Sequence, residues 1–253
     1  MGELVLENVG VTLGGQSIVE GIGATLMPGR LHVLIGPNGA GKTTLLKTMA
    51  ALIRADNGTV SLDGEDVARM SYARRAGEIA YLPQDRSIAW DMSGVEIAAL
   101  GAPHLPAKLA RQKAFAELGA LGLQEMADRG VFSLSGGQRA RVLLARVLVS
   151  PARVLLLDEP LTALDPAWQR HVLTRLKQRA SDGATVVLSL HDLHLAAQFA
   201  DEVLLMHQGH LVAQAEPDKV FTPDHLAGVF NLKGKLVGSG VQKTLRLEAL
   251  PVA

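Results

Sequence analysis

Cysteine is absent from all 253 residues. Disulfides and thiolate metal sites are thereby excluded, and the lack fits a reducing cytosol. Aromatic residues make up only 4% of the chain, too few for a platform on which single-stranded bases stack. Neither sign of charge is in excess: 25 basic residues face 25 acidic ones. That balance removes the electrostatic footprint of a nucleic-acid binder and any general attraction to anionic lipid. No stretch approaches the roughly 18 continuous apolar residues of a membrane span. The start, Met1-Gly2-Glu3-Leu4, has an early acid and no charged-then-apolar signal pattern. Repeats and low-complexity tracts are also missing. What remains is a soluble or peripheral chain, 48% hydrophobic, sized for one large α/β domain or a domain with an insertion.

The most informative stretch is Gly36-Pro37-Asn38-Gly39-Ala40-Gly41-Lys42-Thr43, with the spacing G-x-x-x-x-G-K-[ST] of a phosphate-binding loop. The apolar run Leu31–Ile35 before it predicts a buried strand, and Thr44–Leu52 after it predicts a helix, which is the context this loop requires. Glycines let successive backbone N–H groups curl toward a phosphate, and a helix N-terminus adds partial positive charge. Lys42 would reach the β- and γ-phosphates, and the Thr43 hydroxyl would sit on Mg²⁺. A nucleoside triphosphate is therefore the expected ligand.

Residues 3–35 read as β-rich, with a turn at Gly14-Gly15, and predict a small antiparallel sheet leading into a nucleotide-binding core. Strands follow at Thr59–Leu62 and Ile79–Gln84. From Asp91 to Val149 the chain is Ala- and Leu-rich with helical periodicity, so residues 86–150 are expected to form a helical insertion. The α/β character returns with Val154–Leu157, a helix opening at Asp165-Pro166, the strand Thr185–Leu190, and a hairpin around Gln208-Gly209. Residues 1–85 and 151–231 would thus form the core of a single domain. To the tail, 232–253, no element is assigned.

Several polar residues sit at strand ends, where ligands bind in a parallel sheet. Asp158 ends one strand and would hold Mg²⁺. Glu159, next along, is placed to orient and deprotonate an attacking water. Gln84 could touch Mg²⁺ or that water, and it lies where the helical insertion begins. His191 could donate to the γ-phosphate. His191 and His194 are three apart, but no third ligand at a recognisable spacing completes a metal site with them. A second anion-binding arrangement is Leu134-Ser135-Gly136-Gly137-Gln138 before a helix. Since the first loop already cradles the phosphates, the second makes sense as serving a nucleotide held by another copy, in a head-to-tail pair.

Taken together, Gly36–Thr43, Gln84, Leu134–Gln138, Leu155–Pro160, Leu164-Asp165 and His191 resemble the ATP-binding-cassette ATPases, with all six of that family's motifs in order across roughly residues 3–230. The resemblance implies a RecA-like core, an antiparallel β subdomain and an inserted helical subdomain. It implies ATP and Mg²⁺ as ligands. Gly36, Pro37, Asn38, Gly39, Ala40, Gly41, Lys42, Thr43 and Thr44 would hold the nucleotide, and Ser135, Gly136, Gly137, Gln138 and Asp165 would complete the site across a dimer. It assigns Thr43, Gln84 and Asp158 to the metal, and Glu159, His191 and Gln84 to catalysis. Asp91–His104 and the stretch from Gln208 to Phe230 look like importers of iron-siderophore, haem or cobalamin. Such ATPases work in pairs beneath permease subunits, which would dock near residues 84–100 at the cytoplasmic face of the membrane, with a substrate-binding protein acting indirectly. The alternatives are another transported substrate, export, or a soluble cassette ATPase acting on nucleic acid or ribosomes. Three departures stand out. Leu13 replaces an aromatic residue, the segment Gly101-Ala102-Pro103-His104 is shorter by a residue and lacks a basic one, and Leu161-Thr162-Ala163 replaces the commoner Thr-Ser-Ala.

Overall fold

A computed structural model describes residues 2–238 and 242–249. Apolar alternation over the first 26 residues produces an antiparallel pair, β1 (Leu4–Leu13) and β2 (Gln16–Leu26). The buried phase along β1 shifts from Leu4 and Leu6 to Val9 and Val11. Asn8, at φ 50°, lies within a break of register between Leu6 and Val9, so one extra residue resets which face points inward. β4 (Asn57–Leu62) pairs on the other edge of β1, and β5 (Glu65–Asp66) on β4, in the sheet order β2-β1-β4-β5.

The second sheet has six strands. Its centre is made of β3 (Leu31–Ile35), β7 (Val154–Leu157) and β8 (Thr185–Ser189), each buried along its whole length. Continuous apolar strands of this kind belong to parallel sheets covered on both faces. β6 (Ile79–Leu82) and β9 (Glu202–His207) flank them in parallel, and β10 (His210–Ala215) returns antiparallel through Gln208-Gly209, giving the order β10-β9-β3-β8-β7-β6. Alternate strand residues feed two cores. Leu34, Val154 and Leu156 join α1 (Lys42–Met49) and the antiparallel sheet on one side. Val33, Ile35, Leu155 and Leu157 join the helices of the other side.

Those helices include α3 (Gly94–Ala99), α4 (Ala107–Ala120) and α5 (Gly136–Val149), all inserted between β6 and β7 and packed on one another. α6 (Pro166–Ser181) links β7 to β8, and α7 (Leu193–Phe199) follows β8. Three short helices carry no announcement in the periodicity: α2 (Tyr72–Glu78), α8 (Pro217–Val220) and α9 (Pro223–Phe230) have 7, 4 and 8 residues, too few for a sustained apolar repeat. In the tail, β11 (Leu232–Val237) and β12 (Thr244–Ala249) form a hairpin; 239–241 and 250–253 lie outside the described residues. Leu245 of β12 is buried in the main core, and its N–H donates to His194 Nδ1 at 3.2 Å.

Candidate nucleotide site

The loop between β3 and α1 is shaped by its glycines. Gly41, the residue before α1, has φ 95°, and a Cβ there would lie 2.6 Å from the Ile18 carbonyl oxygen. At Gly36 a Cβ would lie 2.2 Å from the Met206 carbonyl oxygen. Neither position admits a side chain. Lys42 curls back over this loop, its Nζ donating to Gly36 O at 2.7 Å and Pro37 O at 2.9 Å. Burial pulls the Lys42 ammonium below its ordinary pKa, while the charges of Glu159 and Asp158 work the other way.

The two carboxylates follow β7. Asp158 is buried, and its Oδ1 accepts the Ser189 hydroxyl at 2.7 Å. The Ser189 Oγ in turn accepts the Glu159 N–H at 2.8 Å. Asp158 Oδ2 is buried with no hydrogen-bond partner. A buried carboxylate oxygen left unpaired is costly and fits a cation or a nucleotide-bound water. Glu159 Oε1 lies 2.5 Å from His191 Nε2. The Glu159 backbone is left-handed, with φ 47°, an uncommon conformation for a residue with a side chain.

A cleft of about 310 Å³ gathers these parts. Its walls are Ile18, the loop from Asn38 to Thr44, Gln84, Glu159 and His191. Residues from four separate segments of the chain, each singled out at a strand end or in the glycine-rich loop, therefore share one opening with Ile18, which no motif marks. Asp158 is not among the lining residues, but Ser189 links it to Glu159, which is. Leu13, at the end of β1, is exposed.

The Ser135–Gln138 group stands apart from this cleft. Ser135 caps α5: its Oγ accepts the Gln138 N–H at 3.2 Å, and Gln138 Oε1 accepts the Ser135 N–H at 2.8 Å. This reciprocal cap presents Gly136 and Gly137 as the first turn of a helix. Asp165 caps α6 in a similar way, accepting the Trp168 N–H at 3.1 Å. None of Ser135–Gln138 or Asp165 is among the described residues lining the cleft.

Besides Ile18, two residues escaped the sequence reading. Ser189 is a buried polar residue within the apolar run Thr185–Leu190, and a buried hydroxyl demands partners, which is the signal that could have found it. Arg86, which reaches the loop after Glu159, carries no such signal.

The profile of the family described as ABC transporter matches residues 19–162. The chain belongs to the ABC transporter family. As a member it binds and hydrolyses ATP. It is 39% identical over 237 residues to the hemin import ATP-binding protein HmuV of Pseudomonas fluorescens, covering 91% of this chain and 93% of that protein. The protein of the same name from Gloeobacter violaceus is 40% identical over 237 residues, covering 89% and 86%. Among solved structures, a transporter classed as metal-chelate type, in an inward-facing conformation, superposes with a TM-score of 0.82 at 27% identity, covering 99% of this chain and 98% of that one. The cbiO1 protein of Clostridium perfringens, part of the ABC transporter complex cbiONQ, gives 0.76 at 26% identity, covering 89% and 92%. Among the described residues of this ABC ATPase, no helix is long and apolar enough to cross a membrane.

Proposed function

We propose that this ABC ATPase drives a haem importer, working as a head-to-tail dimer at the cytoplasmic face of the membrane. The observation that carries the substrate is the group of relatives named for hemin import, which align over about nine tenths of the chain. Residues 86–150 would be the helical subdomain, set into a core made of 1–85 and 151–231. Permease subunits would dock near residues 84–100, where Trp90 and Leu100 expose large apolar side chains. A substrate-binding protein outside the membrane would act through the permease.

The residues of the cleft divide the work. Backbone N–H groups of the loop from Gly36 to Thr44, all but Pro37, would bind the phosphates together with the α1 N-terminus, and Lys42 would exchange its loop carbonyls for phosphate oxygens. Thr43, Gln84 and Asp158 would hold Mg²⁺, and the unpaired Asp158 Oδ2 supports that assignment. Bound there, Mg²⁺ would neutralise charge on the phosphates. Glu159 would accept a proton from the attacking water while His191, 2.5 Å away, fixes its carboxylate. Ser135, Gly136, Gly137 and Gln138 of a second copy, with Asp165 beside the interface, would close on the γ-phosphate. The position of the capped α5 N-terminus outside the cleft favours this two-chain site.

Coexpression with a permease of the importer type, followed by reconstitution into vesicles, tests the reading. Haem uptake that depends on ATP and is abolished by Glu159→Gln is expected. Uptake of cobalamin or a ferric siderophore in place of haem would overturn the substrate, and a chain that never associates with membranes would overturn the transport role.

A further inference from the structure

The turn after Gln84 carries a side chain that the nucleotide chemistry leaves unused. Asp85 Oδ1 accepts the Ser87 N–H at 2.9 Å and Oδ2 accepts the Ser87 hydroxyl at 3.0 Å. Side-chain turns of this kind fix the backbone on both sides of the residue they enclose. That residue is Arg86. Its guanidinium crosses to the loop after β7, where Nη2 donates to Glu159 O at 2.6 Å and Nη1 donates to Thr162 O. The two carbonyls bracket Pro160-Leu161. The same loop holds two non-glycine residues in left-handed conformations, Glu159 at φ 47° and Ala163 at φ 67°. Such conformations persist only where the surroundings hold them. A planar fork with two donors suits that task, because it fixes a direction as well as a distance.

We propose that Arg86 is a positioning residue for ATP hydrolysis. It holds the backbone from which Glu159 projects, and it ties that backbone to the segment beginning at Gln84. The proposal rests on the reading of Glu159 as the base and of residues 84–100 as the dock. A movement of the Asp85–Ser87 turn under a docked partner would stretch both hydrogen bonds together. Glu159 would then lose its aim, although no side chain touching the phosphates had moved. Arg86 is half-buried; burial disfavours its charge, and the Glu159 carboxylate offsets only part of that cost.

The test is steady-state ATP hydrolysis by the full chain, with ATP affinity and thermal unfolding measured alongside. Arg86→Ala should lower kcat about ten- to hundredfold, the scale of a misplaced catalytic group, with KM for ATP within about twofold of wild type. Arg86→Lys keeps the charge but offers a point donor in place of a fork, so it should restore less than about a third of the lost rate. In a Glu159→Gln background, Arg86→Ala should change the residual rate by less than about twofold, because no base is left to aim. Wild-type kcat in both Arg86 variants would overturn the proposal, as would equal losses of affinity and turnover. If Arg86→Ala fails to fold, Arg86→Lys decides. An inactive Glu159→Gln beside a fully active Arg86→Ala would leave the base in place and remove the positioning role. A fully active Glu159→Gln would remove the base, and with it the object Arg86 is said to aim.

Discussion

Replacing Ser189 with alanine should destabilise the nucleotide-free protein by about 3 kcal/mol, from the loss of a hydrogen bond to a charged group and the orphaning of an N–H. The Ser189 hydroxyl is buried and joins two residues: it donates to Asp158 Oδ1 at 2.7 Å and accepts the Glu159 N–H at 2.8 Å. The first bond, to a buried carboxylate, contributes about 1.5–3 kcal/mol, and leaving the N–H unpaired adds about 1 kcal/mol. Since Asp158 Oδ2 already has no partner, the substitution leaves that carboxylate bare on both oxygens. For a domain of this size 1 kcal/mol corresponds to about 2–4 °C, so the thermal midpoint should fall by about 6–12 °C. Unfolding followed by circular dichroism without nucleotide reads this directly, with Thr174→Ala, at an exposed helix position, as the control. Adding Mg²⁺ and ATP should narrow the gap, because a cation would then satisfy Asp158. A fall of less than about 2 °C, below the equivalent of one hydrogen bond, would refute the idea that Ser189 holds the two acids.

Lys42→Ala should weaken ATP binding itself, read by equilibrium titration, by about tenfold or more, since a charge-assisted contact to phosphate contributes about 1.5–3 kcal/mol; unchanged affinity would remove Lys42 from the phosphates. Glu159→Gln should retain ATP binding and accumulate a closed dimer in Mg²⁺ and ATP, seen by light scattering, with turnover lost; wild-type hydrolysis would end its role as base. Away from the cleft, burial works to raise the Glu202 carboxyl, but hydrogen bonds from His32 and Gln214 and the charges of His32 and Arg30 hold it below its ordinary pKa. A lowered carboxylate stabilises the fold above its unfolded value, ~4.3, and loses that contribution as pH falls through the native value. Glu202→Gln should therefore be less stable than wild type at pH 7 and closer to it at about pH 4, and a gap that stays constant across the series would contradict the pairing.

How much could be read beforehand depended on whether the chemistry was local in sequence. The loop Gly36–Thr43 is eight consecutive residues whose types are dictated by close backbone approach, as the Cβ clashes at Gly36 and Gly41 show. The α/β class followed from wholly apolar strands such as Val154–Leu157, and the ends of β7 and β8 marked Asp158, Glu159 and His191 as neighbours. Interactions that join distant positions left no such mark. Arg86 meets Glu159 and Thr162 across 73 and 76 positions, and nothing in the type or spacing of these residues encodes that meeting. The hairpin of β11 and β12 was hidden for a related reason: its apolar residues are few, and Leu245 gains its meaning only when it is buried against α7. The phase shift at Asn8 blurred the alternation in β1 because one extra residue exchanges the two faces.

The central claim is that the loop Gly36–Thr43 is half of a site completed by Ser135–Gln138 of a second chain. ATP turnover per mole of chain, measured against protein concentration in the absence of a permease, tests it most directly. The two-chain site predicts a specific rate that rises with concentration and then saturates, and Ser135→Arg should suppress that rise while leaving ATP binding to the monomer intact. A specific rate that is already maximal for the dilute monomer and flat with concentration would contradict it.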